Sequence, residues 1–426
     1  MHPFAPRKIV HIEIGDGLPT LSPEVGYPSL YVVFWWYGIP MGDREIPADE
    51  LPMSPARLAA WAFTTIRPAV EAYCGAHEVP LPEEVEPGVD GLATWAPPLA
   101  RALEHASPPA GGSVSVVVCT RDRPEQLARC LRSLQALSPP PEEILVVDNA
   151  ARSDATRALV DTMPGIRYVV EQTPGLDRAR NAGIRHSTSD IIAFADDDVT
   201  VHTAWVARLR RSFADPGIVA VTGLVLAAEL ETEAQYLFEK HWSFNRGYRA
   251  LTYDTRYFEQ YKLVSAPTWQ IGAGANMAFR REVFERVGYF DERLDVGAAG
   301  CSGDSEFWYR ILAEGGCCRY EPTAVVYHYH RRHSEDLRKQ LYYYMRGHVA
   351  ALLVQFETHR HWSNLGRLFF ALPKHFLGRA LRGLRHGFKG GYRTVPAELS
   401  GCLSGVTFYW QHRRTRPLKT ARASRA

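Results

Sequence analysis

Between Ser113 and Asp198 the chain alternates short β-branched runs with segments of helical apolar spacing, and that alternation leaves few folds open. The spacing predicts strands over 113–119, 143–147 and 166–171, with helices over 124–137 and near 154–162 between them. Strand, helix, strand in repetition calls for a mainly parallel, doubly wound sheet with helices on its faces. A further helix near 176–185 leads into an apolar run over 190–195 that ends in Asp196-Asp197-Asp198. In such sheets ligands gather at the carboxyl ends of the strands. Functional side chains are therefore expected just after these runs.

The flanks read differently. Strand-like pieces over 8–14 and 29–37, a turn over 38–42, and a helix capped by Ser54-Pro55 with Leu58, Trp61, Ala62, Ile66, Val70 and Tyr73 at helical spacing predict a small β-rich unit with one helix over 1–106. Ala96-Pro97-Pro98 and then the Pro- and Gly-rich stretch 107–112 read as its end and a linker. The α/β domain is expected over 113–356 and a helical basic region over 357–426. Lys plus Arg number 49 against 47 acids, a formal +2, yet the stretch 365–426 holds 13 basic residues and one acid, Glu398. A near-neutral total argues against nucleic acid as partner, whereas the basic end suits an anionic surface.

In that end Leu365, Leu368, Phe369, Leu372, Phe376, Ala380, Leu384 and Phe388 recur at three-to-four spacing among Arg and Lys. An interfacial amphipathic helix on anionic lipid and a core-packing helix with a wet basic face both suit this pattern. Seven cysteines without a C-x-x-C pair read as reduced thiols. With a charged N-terminus and no membrane-length apolar run, the expected compartment is the cytoplasm, with peripheral contact at the inner face of the plasma membrane.

Three consecutive carboxylates after a buried strand repel one another unless a cation or solvent screens them. Asp196 and Asp198 point to the same side of an extended chain and suit one Mn²⁺ or Mg²⁺, although a solvated acidic turn also fits. Asp122 and Asp148 follow two other strands; an Asx turn or helix cap explains each alone, and Asp148 also suits a nucleobase N–H. Arg178 and Arg180 stand at a helix start, where an anion can be held. His328 and His330 share one side of an extended segment and are candidates for a metal or a phosphate, followed by Arg331-Arg332-His333. The aromatic stretch 236–261 suits sugar stacking, on Trp242 or with Trp269, or a packed helical lid.

Taken in order, these pieces resemble the inverting family 2 glycosyltransferases of GT-A fold. The matching residues are Val114 to Thr120 with Arg123-Pro124, Glu143 to Asn149, Gly175 with Ala179-Arg180-Asn181, Phe194 to Asp198, Gly272 to Asn276, Gly288 to Glu292, Gly303 to Phe307 with Arg310, and His328-Tyr329-His330. The resemblance covers about 113–353. It implies a nucleotide-sugar site of Thr120, Asp122, Asp148, Arg180, Asp196 and Asp197, and a metal held by Asp196, Asp198 and His328. It implies Asp304 as catalytic base, with Glu306, Trp269, Gly274 and Asn276 around donor or acceptor. The family usually carries a glutamate immediately before the base; here that residue is Gly303. The implied activity is metal-dependent sugar transfer to a hydroxyl acceptor in glycan or cell-wall biosynthesis, from a UDP- or dTDP-sugar, with GDP also compatible. A non-catalytic binder on the same scaffold is the rival, and a sugar-1-phosphate nucleotidyltransferase lacks its G-T-R-L loop at 119–124.

Overall fold

The computed structural model describes residues 4–105, 112–385 and 387–414. The N-terminal unit has β1 (Arg7–Glu13), β2 (Ser29–Trp36) and β3 (Ile39–Ile46), followed by α1 (Pro55–Ala76) and α2 (Val89–His105). Strands β1 and β2 run parallel, and β2 and β3 form a hairpin. The turn is shorter than the sequence suggests: Tyr37 and Gly38 alone carry positive φ, 53° and 66°, and strand pairing takes up Ile39 onward. Ser54 caps α1 as expected, its side chain accepting from Arg57 N. A second helix was not anticipated. Its stripe of Leu92, Trp95, Leu99 and Ala102 is buried, and Phe63 stacks on Trp95 at 3.8 Å, so apolar packing carries α2 through Pro97-Pro98, which the sequence suggests as the start of a linker. Of the proposed linker only Gly112 lies within the described residues.

The α/β body comprises β4 (Val114–Thr120), α3 (Pro124–Gln135), β5 (Glu143–Asn149), α4 (Ala155–Asp161), β6 (Ile166–Glu171), α5 (Leu176–His186), β7 (Ile191–Asp196), β8 (Val199–Val201), α6 (Trp205–Ser212) and β9 (Ile218–Ala227). It continues through α7 (Glu233–Trp242), β10 (Leu251–Tyr253), α8 (Thr255–Glu259), β11 (Asn276–Arg280), α9 (Glu282–Arg286), α10 (Gly303–Ala313) and β12 (Cys317–His328). The sheet order is β10-β12-β9-β11-β7-β4-β5-β6, with β8 on β12. Strands β7, β4, β5 and β6 are parallel, as are β9 and β12, while β11 is antiparallel to both neighbours.

Strand β4 pairs with β5 on one side and β7 on the other, so the chain order reverses there. That reversal opens a crevice beyond their carboxyl ends. Register sets what meets at it: Thr120 stands opposite Asp148, and Cys119 opposite Asp196.

Asn276, expected in the pocket, instead ties the sheet together. It is fully buried; its Nδ2 donates to Leu224 O at 3.0 Å and Ala324 O at 2.8 Å, and its Oδ1 accepts from Trp205 Nε1 at 2.9 Å. These bonds join β9, β12 and α6 where the β9–β12 register shifts between Glu321 and Val325. Gly223 is needed beside it, since a Cβ there would lie 2.1 Å from Ala324 O.

The N-terminal unit docks on this body. Val33 and Trp35 enter its core, Arg7 N donates to Leu230 O, and Asp43 accepts from Tyr248 Oη at 2.6 Å. After β12 come α11 (Ser334–His359), α12 (Ser363–Gly366), a π-helical turn over Arg367–Ala371, α13 (Leu372–Arg385) and α14 (Val395–His412). Helix α14 lies along α11, with Gly401 and Gly405 against the α11 backbone, so the basic end is folded into the molecule up to Arg414. Replacing Asn276 with Ala should cost roughly 3 kcal/mol in a denaturant titration, because two carbonyls and an indole N–H lose their buried partner.

Candidate active site

A cleft of about 1690 Å³ opens at the carboxyl ends of β4 and β7 and is closed on the far side by α11 and α13. Asp196 ends β7, and Asp198 follows one turn residue later. With His328 from the end of β12 they bring one ligand atom each to within 4.8 Å of one another. This set of two carboxylate oxygens and an imidazole has the chemistry to hold a divalent cation. His328 Nε2 lies 3.3 Å from Asp198 Oδ1, its Nδ1 is 3.0 Å from His330 Nδ1, and His330 Nε2 is 3.1 Å from Glu239 Oε2. A lone pair on His328 Nε2 requires its proton on Nδ1, donated to His330, whose own proton then goes from Nε2 to Glu239. The two later groups thus hold the metal-ready tautomer. Burial, against the attraction of Asp198, lowers the His328 pKa to about 4, so the ring is neutral at pH 7.

Asp197 faces away from that cluster. Thr120 Oγ1 donates to its Oδ2 at 2.8 Å and Arg123 Nη1 to its Oδ1 at 2.9 Å; the same Arg123 nitrogen reaches Asp198 at 3.2 Å. Asp197 therefore laces the end of β4 to that of β7. Burial raises Asp196 to about 7 and Asp197 to about 6. For Asp198 burial is outweighed by His328 and Arg123, which hold it below the usual range.

The opposite wall is built on Arg180. Its Nη1 pairs with Asp177 Oδ1 at 2.9 Å and Asp295 Oδ2 at 2.6 Å, all three residues being buried. Asp304 stands beside them, its Oδ2 accepting from Gly274 N at 2.8 Å and its Oδ1 from Ser305 N at 2.6 Å. A Cβ on Gly274 would lie 2.7 Å from Arg180 Nη2 and 3.1 Å from Asp304 Oδ2, so glycine there lets both groups meet at the cleft. Burial and then Asp295 raise the Asp304 pKa, against Arg180. Asp304 is not a helix cap: Ser302 holds that position with φ 77°, and Asp304 lies in the first turn of α10.

Of the residues singled out from sequence, Thr120, Arg180, Asp196, Asp197, Asp198, Trp269, Gly274, Asp304 and His328 line the cleft. Trp269 has Arg367 over its ring at 4.0 Å and His348 edge-on at 5.1 Å. Asp148 is fully buried, its Oδ2 accepting from Tyr168 Oη at 2.7 Å while Oδ1 makes no hydrogen bond. Asp122 turns outward, accepting from Arg152 N at 2.9 Å. Glu306 is buried and does not line the cleft; its two carboxylate oxygens share Arg310 Nε at 2.8 and 3.0 Å. Arg178 pairs with Glu292, and Arg332 with Glu229 and Glu231, which leaves Arg331 to face the cleft. Sequence reasoning missed Asp177, Asp295, Glu239 and the ion pairing of Arg123. Only the Asp177–Arg180 pair, three apart on one helix, carried a readable signal.

Residues 115–288 match the model of glycosyl transferase family 2. That stretch is a family 2 glycosyltransferase segment within the chain. It is 28% identical over 264 residues to the pre-mycofactocin glycosyltransferase of Mycobacterium tuberculosis, which covers 59% of this chain and 51% of that protein. It is 30% identical over 227 residues to the succinoglycan biosynthesis protein ExoM of Rhizobium meliloti, covering 50% and 66%. The chain thus spans about half to two thirds of the length of these curated relatives. Among solved structures, the mannosyltransferase PcManGT from Pyrobaculum calidifontis, in complex with GDP-Man and Mn²⁺, superposes with a TM-score of 0.50 at 17% identity, covering 84% of this chain and 99% of that one. The fold is accordingly GT-A, as the resemblance implies.

Asp196 is uncharged more often in the folded chain than in the unfolded chain, where its value is 3.8, so without metal its contribution to stability falls as pH rises from about 4 to about 7. In EDTA, Asp196→Asn is expected to melt above the wild type at pH 8, with the gap closing toward pH 4. A gap independent of pH would contradict this.

Proposed function

We propose that this family 2 protein moves a sugar from a nucleotide-sugar donor to an acceptor hydroxyl with inversion at the anomeric carbon. The observation that carries the reading is one cleft with the Asp196-Asp198-His328 cluster on one wall and the raised carboxyl group of Asp304 on the other. The first wall suits a departing diphosphate and the second an incoming hydroxyl. A Mn²⁺ or Mg²⁺ ion held by Asp196, Asp198 and His328 would supply charge stabilisation to the leaving nucleoside diphosphate. Arg331 at the same rim adds a cation for phosphate oxygens.

Asp304 takes the acceptor proton as the hydroxyl attacks. Its raised pKa makes it a better base than a solvated aspartate. Gly274 N and Ser305 N fix one oxygen each, which orients the carboxylate before the acceptor arrives. At the nucleotide end Thr120 lines the cleft, and Asp148, buried opposite it in the sheet with Asp122 near enough to feel its charge, is the acid suited to a base N–H. Uracil and thymine each present one such N–H, which favours UDP- or dTDP-sugars; guanine also qualifies. Trp269 lines the cleft and is the ring offered to a sugar, with Arg367 over it and His348 edge-on.

The second partner is an anionic membrane surface, reached through the C-terminal helices at the cytoplasmic face of the plasma membrane. Among the described residues no helix is long and apolar enough to cross a membrane. Helix α13 is apolar on two opposite sides. Leu372 and Phe376 are buried toward the cleft, whereas Leu377, Leu381 and Leu384, with Phe370 from the preceding turn, form a stripe that is 53–76% exposed. Lys374, Arg382 and Arg385 flank that stripe, so apolar contact and charge act on the same bilayer. On α14, Leu399, Leu403 and Trp410 are exposed at one helical face as well.

Two measurements test these readings. In a melting-temperature panel of nucleoside diphosphates, one nucleotide should stabilise the protein only with Mn²⁺ or Mg²⁺ present, and Asp198→Asn should abolish the rise. In the same panel Asp304→Asn should still respond while its transfer rate drops by roughly 10²–10⁴-fold; an active Asp304→Asn enzyme would refute the base assignment. For the membrane, the full chain should co-sediment with phosphatidylcholine–phosphatidylglycerol vesicles and not with phosphatidylcholine alone. Leu377→Glu with Leu381→Glu should weaken this by roughly tenfold or more without changing the melting temperature, both side chains being exposed. Undiminished sedimentation of the double variant would exclude that face.

A further inference from the structure

Position 303 precedes the proposed base and is glycine, where the resemblance implies a glutamate. The structure shows what occupies the space of the absent side chain. A Cβ built on Gly303 would lie 2.0 Å from Asp177 Oδ2 and 2.6 Å from both Asp177 Cγ and Oδ1. No side chain fits there while Asp177 stands where it does. Asp177 comes from the first turn of α5, on the other side of the cleft floor, and is 1% exposed. Its Oδ1 is engaged by Arg180, and its buried Oδ2 makes no hydrogen bond.

We propose that Asp177 supplies, from α5, the acidic group that the residue before the base would otherwise carry, and that it acts as a positioning residue for Arg180 and Asp304. The path is short. Asp177 and Asp295 hold Arg180 Nη1 between them, and Arg180 Nη2 packs at Gly274, the residue whose N–H holds Asp304 Oδ2. Removing Asp177 loosens one side of this grip and lets the guanidinium turn its charge further toward Asp295 and Asp304, which weakens Asp304 as a base. Burial and Asp295 also push the Asp177 pKa well up, so three carboxyl groups coexist around one guanidinium without three full charges.

The inference rests on the transferase reading for its functional half only. Its steric half is tested by melting temperature. Gly303→Glu should destabilise the wild type strongly, and the same change in an Asp177→Ala background should be tolerated, because the atoms it would strike are gone. The functional half is read as nucleoside diphosphate release from UDP-glucose, UDP-N-acetylglucosamine, dTDP-rhamnose and GDP-mannose with Mn²⁺. Asp177→Ala should lower kcat on the order of tenfold with donor KM little changed, and should move the acid limb of the pH profile to lower pH. Adding Gly303→Glu should restore both. A Gly303→Glu protein as stable as wild type, or a stable double variant that stays as slow as Asp177→Ala, would overturn the proposal. Should the wild type release nucleotide from no donor, the transferase reading fails, and the melting temperatures alone decide whether residues 177 and 303 share one space.

Discussion

Arg180 is the cation on which the deep wall of the cleft depends. Two buried carboxylates grip one of its nitrogens, and Asp196 and Asp304 lie close enough to feel its charge. A guanidinium suits this place because its planar fork can serve several oxygens at once and it never gives up its proton. Without it, four acids would be buried together and each would have to protonate or move apart. The glycines at 274 and 303 are the geometric counterpart of this crowding, since each leaves room for a charged group from another element.

The other wall combines one cation with a neutral imidazole. Asp198 is paired with Arg123 and held below the usual carboxylate range, while His328 is kept neutral by burial and oriented through His330 and Glu239. A low pKa on the acid and a low pKa on the histidine are the conditions for both to offer lone pairs at neutral pH. Their neighbour Asp197 is spent on the frame, bonded to Thr120 and Arg123. Three adjacent acids thus divide between holding a ligand and holding the strands.

Much of the frame was legible because periodicity reports burial. The strands β4 to β7, their helices and the acidic triplet lie within a few residues of where the pattern puts them. Polar residues near a motif were harder, since sequence does not distinguish a side chain facing a ligand from one satisfied by main chain. Asn276 and Glu306 sit among motif residues but are consumed by Leu224 O, Ala324 O and Arg310. Helix α2 was hidden by its own prolines. In the C-terminal region one apolar stripe was read where there are two, because a helix with opposite apolar faces gives no clean period. The inner face closes the cleft with Phe376 and Arg379, the latter bonded to Gly391 O.

The mutual exclusion at residues 177 and 303 also orders the history open to this site. Side chains cannot stand at both positions at once on this backbone. From an ancestor with glutamate at position 303, Asp177 has no room until that side chain is lost, so the intermediate must have carried glycine first and passed through a stage with neither acid. From the present chain, the reverse route must first shorten residue 177. The two positions therefore share one volume, and a change at either has to be judged with the other in view.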